Sequence, residues 1–263
     1  MSLPAPALDT AVLVTGASSG IGAELSRHLA GLGHDLVIVA RRADRLEALA
    51  DQLRRHHGVS VLVVPTDLGK AAPRNRLVDA VRDSEKTIVG LCNAAGFGSY
   101  GRVHELNAKR EAEMVALNVV AVHELTLTFL PAMVERHAGA ILNVSSIAAF
   151  QPLPNMANYA ATMAFVQSFS ESLHGELAGS GVSCTTLASG LGAAELGARV
   201  EFPPEEVAAA AVRGMLRGRR SVIPGVASKA LAAGGRFAPR SVLLPAARRA
   251  ANGNRLGNLR RAA

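Results

Sequence analysis

Two side chains in this sequence are placed to handle a proton together. Ser146 ends the run Asn143-Val144-Ser145-Ser146, and Tyr159 follows thirteen residues later at the start of a helical pattern. A hydroxyl and a phenol converging at strand ends can bind a carbonyl oxygen and protonate it. Asn118 falls mid-helix, where asparagine is a poor helix former. Buried there, it either bonds a kinked backbone or holds a water.

A second constellation precedes these. Val12, Leu13, Val14 and Thr15 read as a buried strand, broken at Gly16 and resumed at Ile21 as the first turn of a helix. Thr15, Gly16, Ser18, Ser19, Gly20, Ile21 and Gly22 form the turn between them. Its glycines permit backbone angles closed to other residues and close approach of main chain to a ligand. The helix N-terminus that follows suits a pyrophosphate, although an ordinary strand-to-helix turn has a similar composition.

These residues need a frame. Strand patterns fall at 11–15, 35–40, 60–65, 88–93, 139–145, 182–187 and 220–224, alternating with helical periodicity. Near-continuous apolar strands separated by helices imply an α/β fold: a single doubly wound parallel sheet of the Rossmann type, about seven strands, with helices on both faces. Ligands of such sheets lie beyond the carboxyl ends of the strands, so the residues just after each strand carry the information. After the second come Arg41 and Arg42. A site for NAD places an acid there, whereas arginine accommodates a 2′-phosphate; NADP(H) is therefore favoured, with a plain surface arginine as the alternative. After the third, Asp67 (with Leu68 beside it) can take an adenine amino group or cap the next helix. After the fourth, Asn93, Ala94, Ala95 and Gly96 form a small-residue turn against which a ribose can lie. Gly190 follows the sixth.

Composition bounds the rest. The chain has 263 residues, enough for one α/β domain with a real core. No apolar run approaches the ~20 residues of a membrane span, and the first residues lack a signal-peptide pattern. Cys92 and Cys184 fall in strands and read as reduced packing residues of a cytoplasmic protein; no Cys or His spacing suggests a metal. The net charge of +7 is uneven: twelve Lys/Arg and no Asp/Glu follow Glu206, while the residues up to it carry sixteen basic and twenty-one acidic groups, a balance of −5. Residues 1–225 read as the Rossmann domain and 226–263 as a basic helical extension. That tail can lie on an anionic membrane or be a solvated helix or disordered end. Nucleic acid is not favoured, since Phe237 is the tail's one aromatic residue.

Together, Thr15-Gly16-x-x-x-Gly20-x-Gly22, Asn93-Ala94-Ala95-Gly96, Asn118, Ser146 and Tyr159 resemble the short-chain dehydrogenase/reductase family over nearly the whole chain. Asn93 to Gly101 and Val222-Ile223-Pro224-Gly225 look like its NADP-preferring branch of broad or unknown substrate. The resemblance implies that Tyr159 donates or accepts the substrate proton, that Ser146 holds the carbonyl oxygen, and that the chain forms a homodimer or homotetramer through the helices after the fourth and fifth strands. The family's lysine, four residues past the tyrosine, holds the nicotinamide ribose and lowers the tyrosine's pKa; the family's asparagine extends a proton relay to it. Here that position is Met163. A free tyrosine has a pKa near ~10 and methionine offers no charge to favour the phenolate. Ser189 likewise replaces the family's proline, and Ala194 its threonine, on the nicotinamide side. Three readings stay open: a weak NADP(H)-dependent oxidoreductase of a carbonyl or alcohol, a non-redox enzyme using Tyr159 as general acid, and a nucleotide-binding protein without catalysis. The segment from Leu191 to Leu216 is expected to wall an apolar substrate pocket, or to be ordinary helix packing.

Overall fold

The computed structural model describes residues 3–190 and 202–259. Its strands are β1 (Thr10–Thr15), β2 (Asp35–Ala40), β3 (Val61–Pro65), β4 (Thr87–Asn93), β5 (Gly139–Ser146), β6 (Val182–Ser189) and β7 (Ser221–Val222). They form one sheet in the order β3-β2-β1-β4-β5-β6-β7, and every pairing is parallel. The order reverses between β1 and β4, which opens a crevice at the carboxyl ends of the strands. The single Rossmann-type sheet expected from the sequence is what forms.

The helices are α1 (Gly20–Gly31), α2 (Ala43–His57), α3 (Ala71–Asp83), α4 (Ala108–Val115), α5 (Val122–Glu135), α6 (Ala157–Glu176), α7 (Pro204–Leu216), α8 (Val226–Phe237) and α9 (Arg240–Leu259). Successive strand residues point to opposite faces, so each strand serves two cores. Val12, Val14, Leu36 and Ile38 pack with Leu25 and Leu29 of α1, Leu46 of α2 and Met215 of α7. Leu13, Val37 and Val39 pack on the other face with Leu77 of α3, Leu125 of α5 and Leu173 of α6.

Three boundaries differ from expectation for local reasons. β7 is shorter than 220–224, because Pro224 has no N–H to continue a ladder. α6 begins two residues before Tyr159, where the Met156 carbonyl accepts from the Ala160 amide. In α7, Val207, Ala208, Ala211, Val212 and Met215 are buried against the sheet core, so this part of 191–216 is helix packing; Leu191 to Val200, including Ala194, lies outside the described residues.

Between α4 and α5, residues Ala116–Ala121 form a π-helical turn. The stretch Ala108–Glu135 is 28 residues long with a mean hydropathy of 1.5, apolar enough by length and composition to cross a membrane. This corrects the expectation that no segment qualifies: its apolar residues are interrupted by Asn118, His123 and Glu124, so no run shows in the sequence. One side of it, through Met114, Ala121, Leu125 and Met133, is buried and belongs to the core.

Cys92 and Cys184 are free and buried in β4 and β6. Burial pushes both thiols up to about 12, which matches inert packing residues.

Candidate active site

The glycine turn is held from three directions. Gly16 has φ +70° and lies so close to the β4 turn that a Cβ would stand 2.7 Å from the Ala94 carbonyl oxygen. Gly22 approaches the Gly16 carbonyl too closely for any side chain. The Ala17 amide donates to the Val39 carbonyl at 3.3 Å, tying the turn to β2. Thr15 acts from beneath: its Oγ1 accepts from the amides of Ala94 (3.0 Å) and Ala95 (3.1 Å).

Ser19 is the N-cap of α1, yet its side chain caps nothing and the first turn carries no acid. Its hydroxyl, with that of Ser18, instead accepts from the Arg42 guanidinium, each at 2.8 Å. Arg42 is therefore a strut for the glycine turn. The first-turn amides of α1 are left uncapped by any side chain, as an anion site requires. Arg41 is exposed and makes no hydrogen bond or ion pair among the described residues. Asp67 does not cap α3, whose N-cap is Lys70; its Oδ1 accepts from the Gly69 amide at 3.2 Å and its Oδ2 lies 3.4 Å from Lys70 Nζ.

These pieces enclose a cavity of about 470 Å³ at the carboxyl ends of β1 and β4. Gly16, Ser18, Ser19, Ile21, Gly22, Arg41, Arg42, Asp67, Leu68, Ala94, Ala95 and Gly96 of the expected cofactor set line it. Thr15, Gly20, Asn93 and Gly190 do not. Thr15 supports the turn from below. Asn93 is buried, its Nδ2 donating to Asn143 Oδ1 at 2.9 Å, and Asn143 donates in turn to Ser170 Oγ at 2.8 Å.

A second cavity of about 170 Å³ shares Ile21, Ala94, Ala95, Gly96, Phe97 and Val144 with the first and continues from it. Here stand Tyr159, Met163, Asn118, Ser145 and Ser189. Among the described residues no charged side chain lines it. Met163 is buried and its carbonyl accepts from Ser145 Oγ at 3.1 Å. Gly98 lies against the Tyr159 ring, where a Cβ would sit 3.3 Å from the ring edge.

Two of the expected catalytic residues make bonds that place them in the site's framework. Asn118 bonds both backbone and side chain: Oδ1 accepts from the Phe97 amide (3.2 Å), while Nδ2 donates to the Phe97 carbonyl (3.0 Å) and to Thr162 Oγ1 (3.1 Å). Thr162 donates to the Tyr159 carbonyl at 2.8 Å. Asn118 is thus a clamp between the loop at 97 and the helix that carries Tyr159. Ser146 is fully buried and its Oγ accepts from the Ala148 amide at 3.2 Å; Ser145, not Ser146, lines the cavity. The Ser146 proton is uncommitted in that bond, but its surface is covered.

The sequence reading missed Thr162, one helical turn after Tyr159. It also missed a buried carboxylate, Glu111, whose Oε2 accepts from Ser99 Oγ (3.0 Å) and Asn158 Nδ2 (2.8 Å). That pair fastens the loop at 97–101 to the start of α6. Glu111 lies in the charged first turn of α4, beside Lys109 and Arg110, so its type and position gave no signal of burial. No cluster of metal-ligating side chains occurs among the described residues.

A family model described as short chain dehydrogenase matches residues 10–201. A very-long-chain 3-oxoacyl-CoA reductase of Anas platyrhynchos is 34% identical over 184 residues, covering 67% of this chain but only 58% of that protein's length. An uncharacterized oxidoreductase of Myxococcus xanthus (strain DK1622) is 37% identical over 194 residues, 73% of this chain and 75% of its own. Among solved structures, a short-chain dehydrogenase from Sphingobium yanoikuyae in complex with NADPH superposes with a TM-score of 0.76 at 34% identity, covering 86% of this chain and 92% of that one.

Proposed function

The chain belongs to the short chain dehydrogenase family, and on that premise we propose that it is an NADP(H)-dependent oxidoreductase acting on the carbonyl or alcohol of an apolar small molecule, with turnover limited by Met163. The observation that carries this reading is the joined pair of cavities: a glycine turn with Arg41 at one end, Tyr159 and Met163 at the other.

The larger cavity fits the phosphate-bearing part of the cofactor. The uncapped amides at the start of α1 take the pyrophosphate and Arg41 the 2′-phosphate, through its bidentate fork. The Sphingobium yanoikuyae relative, solved with NADPH, supports the choice. When bound, the nicotinamide supplies or accepts the hydride at the substrate carbon. Tyr159 gives the proton to the carbonyl oxygen in reduction and takes it back in oxidation. Both directions pass through the phenolate, and Met163 contributes no charge to stabilise it. The forward-to-reverse ratio is fixed by the equilibrium, so both directions slow together. Ser146 remains the proposed partner of the carbonyl oxygen, and reaching it requires its covered surface to open. The smaller cavity's lining of Ile21, Ala94, Phe97, Val122 and Val144 suits an apolar substrate.

Met163 at the position of the family's lysine also favours a second reading, a nucleotide-binding protein or non-redox enzyme that uses Tyr159 as a neutral acid. Calorimetric titration with NADPH and NADH, followed by a screen of ketones and diones, separates them. Tight NADPH binding with weaker NADH binding and measurable turnover is expected; binding without turnover supports the second reading, and no binding of either refutes both cofactor-dependent forms. Exposed Val115, Leu127 and Phe165 on α4, α5 and α6 support a homodimer or homotetramer, checked by light scattering. A cytoplasmic location is part of the same proposal, checked by cell fractionation.

A further inference from the structure

The end of the molecule opposite the cofactor crevice's first strands has an unusual surface. α8 turns Ser228, Ala232 and Gly235 inward; Gly235 sits against the Phe150 carbonyl, where a Cβ would stand 2.8 Å away. The positions four, seven and eleven residues after Val226 are Ala230, Ala233 and Phe237, so its outward face is apolar. Val226 is 84% exposed and Phe237 83%. Val242 and Leu244 of α9 are exposed as well.

Beside this face, between α7 and β7, lies a hollow of about 270 Å³ lined by Arg213, Arg217, Arg219 and Lys229. It runs past Ser221, Ile223 and Lys229 into a neighbouring hollow. Glu171, the single carboxylate among the described residues lining either, already pairs with Arg220 (3.5 Å) and Arg236 (3.4 Å). The four cations of the first hollow have no ion pair among the described residues, and their mutual repulsion favours an anion between them.

We propose that this end seats on an anionic phospholipid surface, with a headgroup phosphate in the Arg213–Arg217–Arg219–Lys229 hollow and Val226 and Phe237 entering the acyl boundary. One occupant must satisfy both features. A soluble phosphate leaves the apolar face of α8 in water. A second copy related by a two-fold axis sets the same cations against cations. A phospholipid surface supplies negative charge and hydrocarbon side by side. The proposal is independent of any redox activity.

The test is co-sedimentation of the full chain with phosphatidylcholine vesicles made with and without phosphatidylglycerol. Binding is expected only to the anionic vesicles and falls as salt rises. Arg217→Ser with Lys229→Ser weakens it roughly fivefold for each cation removed, whereas Arg45→Ser with Arg55→Ser, exposed on α2, leaves it unchanged. Val226→Ser with Phe237→Ser weakens it roughly tenfold or more for each apolar side chain removed. All four altered positions are exposed, and thermal melts confirm that the variants fold. Several outcomes overturn the proposal: equal partition to both vesicle types; no partition to either; equal weakening by the α2 control; stabilisation by inorganic phosphate alone without vesicle binding; or loss of a dimer in Val226→Ser with Phe237→Ser, which assigns the face to a second copy.

Discussion

Met163→Lys tests the proposed chemistry most directly. Met163 is 6% exposed, and the cavity it lines offers an amine no carboxylate among the described residues. Ser145 Oγ is already committed to the Met163 carbonyl and Ser189 Oγ to the Ser145 carbonyl. The free protein should therefore lose about 1–3 kcal/mol of stability, the cost of a buried polar group without a full partner set. Burial favours the neutral amine, while the unfolded chain holds its proton up to about pH 10. The unfolded state then binds more protons, so the penalty shrinks as pH rises. Against this cost, a restored acid–base partner is worth about 10²–10⁴-fold in turnover, or roughly 3–5 kcal/mol of barrier. Initial rates of NADPH consumption over a panel of ketones and diones measure the gain, and calorimetry in parallel shows that NADPH still binds. A folded, NADPH-binding variant with no gain in turnover refutes the reasoning: Met163 is then not what limits the phenol.

Asn118→Ala removes the clamp and leaves the part-buried Phe97 amide and carbonyl without their side-chain partner, at about 1 kcal/mol each, the low end for a lost hydrogen bond; urea unfolding should show a loss of roughly 2 kcal/mol together with weaker NADPH binding. Cys92 and Cys184, with thiols pushed up to about 12, should resist thiol reagents in the folded protein and react only on unfolding, measured by thiol titration with and without denaturant. His34 is buried and desolvation holds its pKa below the ordinary 6.5, outweighing the nearby Asp35. Below 6.5 the unfolded chain gains a proton that the folded chain refuses, so this residue's contribution is fully present above that pH and is lost as pH falls toward the folded value. His34→Gln should flatten the fall in stability that sets in below about pH 6.5, measured by urea unfolding across pH.

The sheet was legible because burial on both faces writes a continuous apolar run into each strand. β2 matches its expected residues and β1, β4 and β5 differ by a residue at an end, whereas β7, a two-residue edge, had only a short run ended by Pro224. The cofactor turn was legible for a similar reason: glycine is demanded where backbone meets backbone, as at Gly16 and Gly22. The smaller cavity was less so. What Asn118, Ser146 and Glu111 do depends on partners 2 to 47 residues away, Ala148, Phe97 and Asn158 among them, and a residue's type does not name its partner. The π-helical turn that aims Asn118 at Phe97 has no compositional mark at all. Arg42 shows the same limit: it lines the larger cavity, and its type did not reveal that its Nε and Nη2 also hold Ser18 and Ser19.

The Thr15 hydroxyl, which holds the amides of Ala94 and Ala95, also sets an order of events during synthesis. Those partners lie 79 and 80 residues downstream, and β1 has β4 as one of its two neighbours. On a ribosome adding about 5–20 residues per second, the interval is on the order of 4–16 s. For that time β1 and β2 can pair, but the glycine turn has no floor, and nucleotide cannot help the nascent chain fold. Cofactor can act as a folding ligand only once the chain has emerged past Ala95, so destabilising changes before that point should be rescued by nucleotide late or not at all.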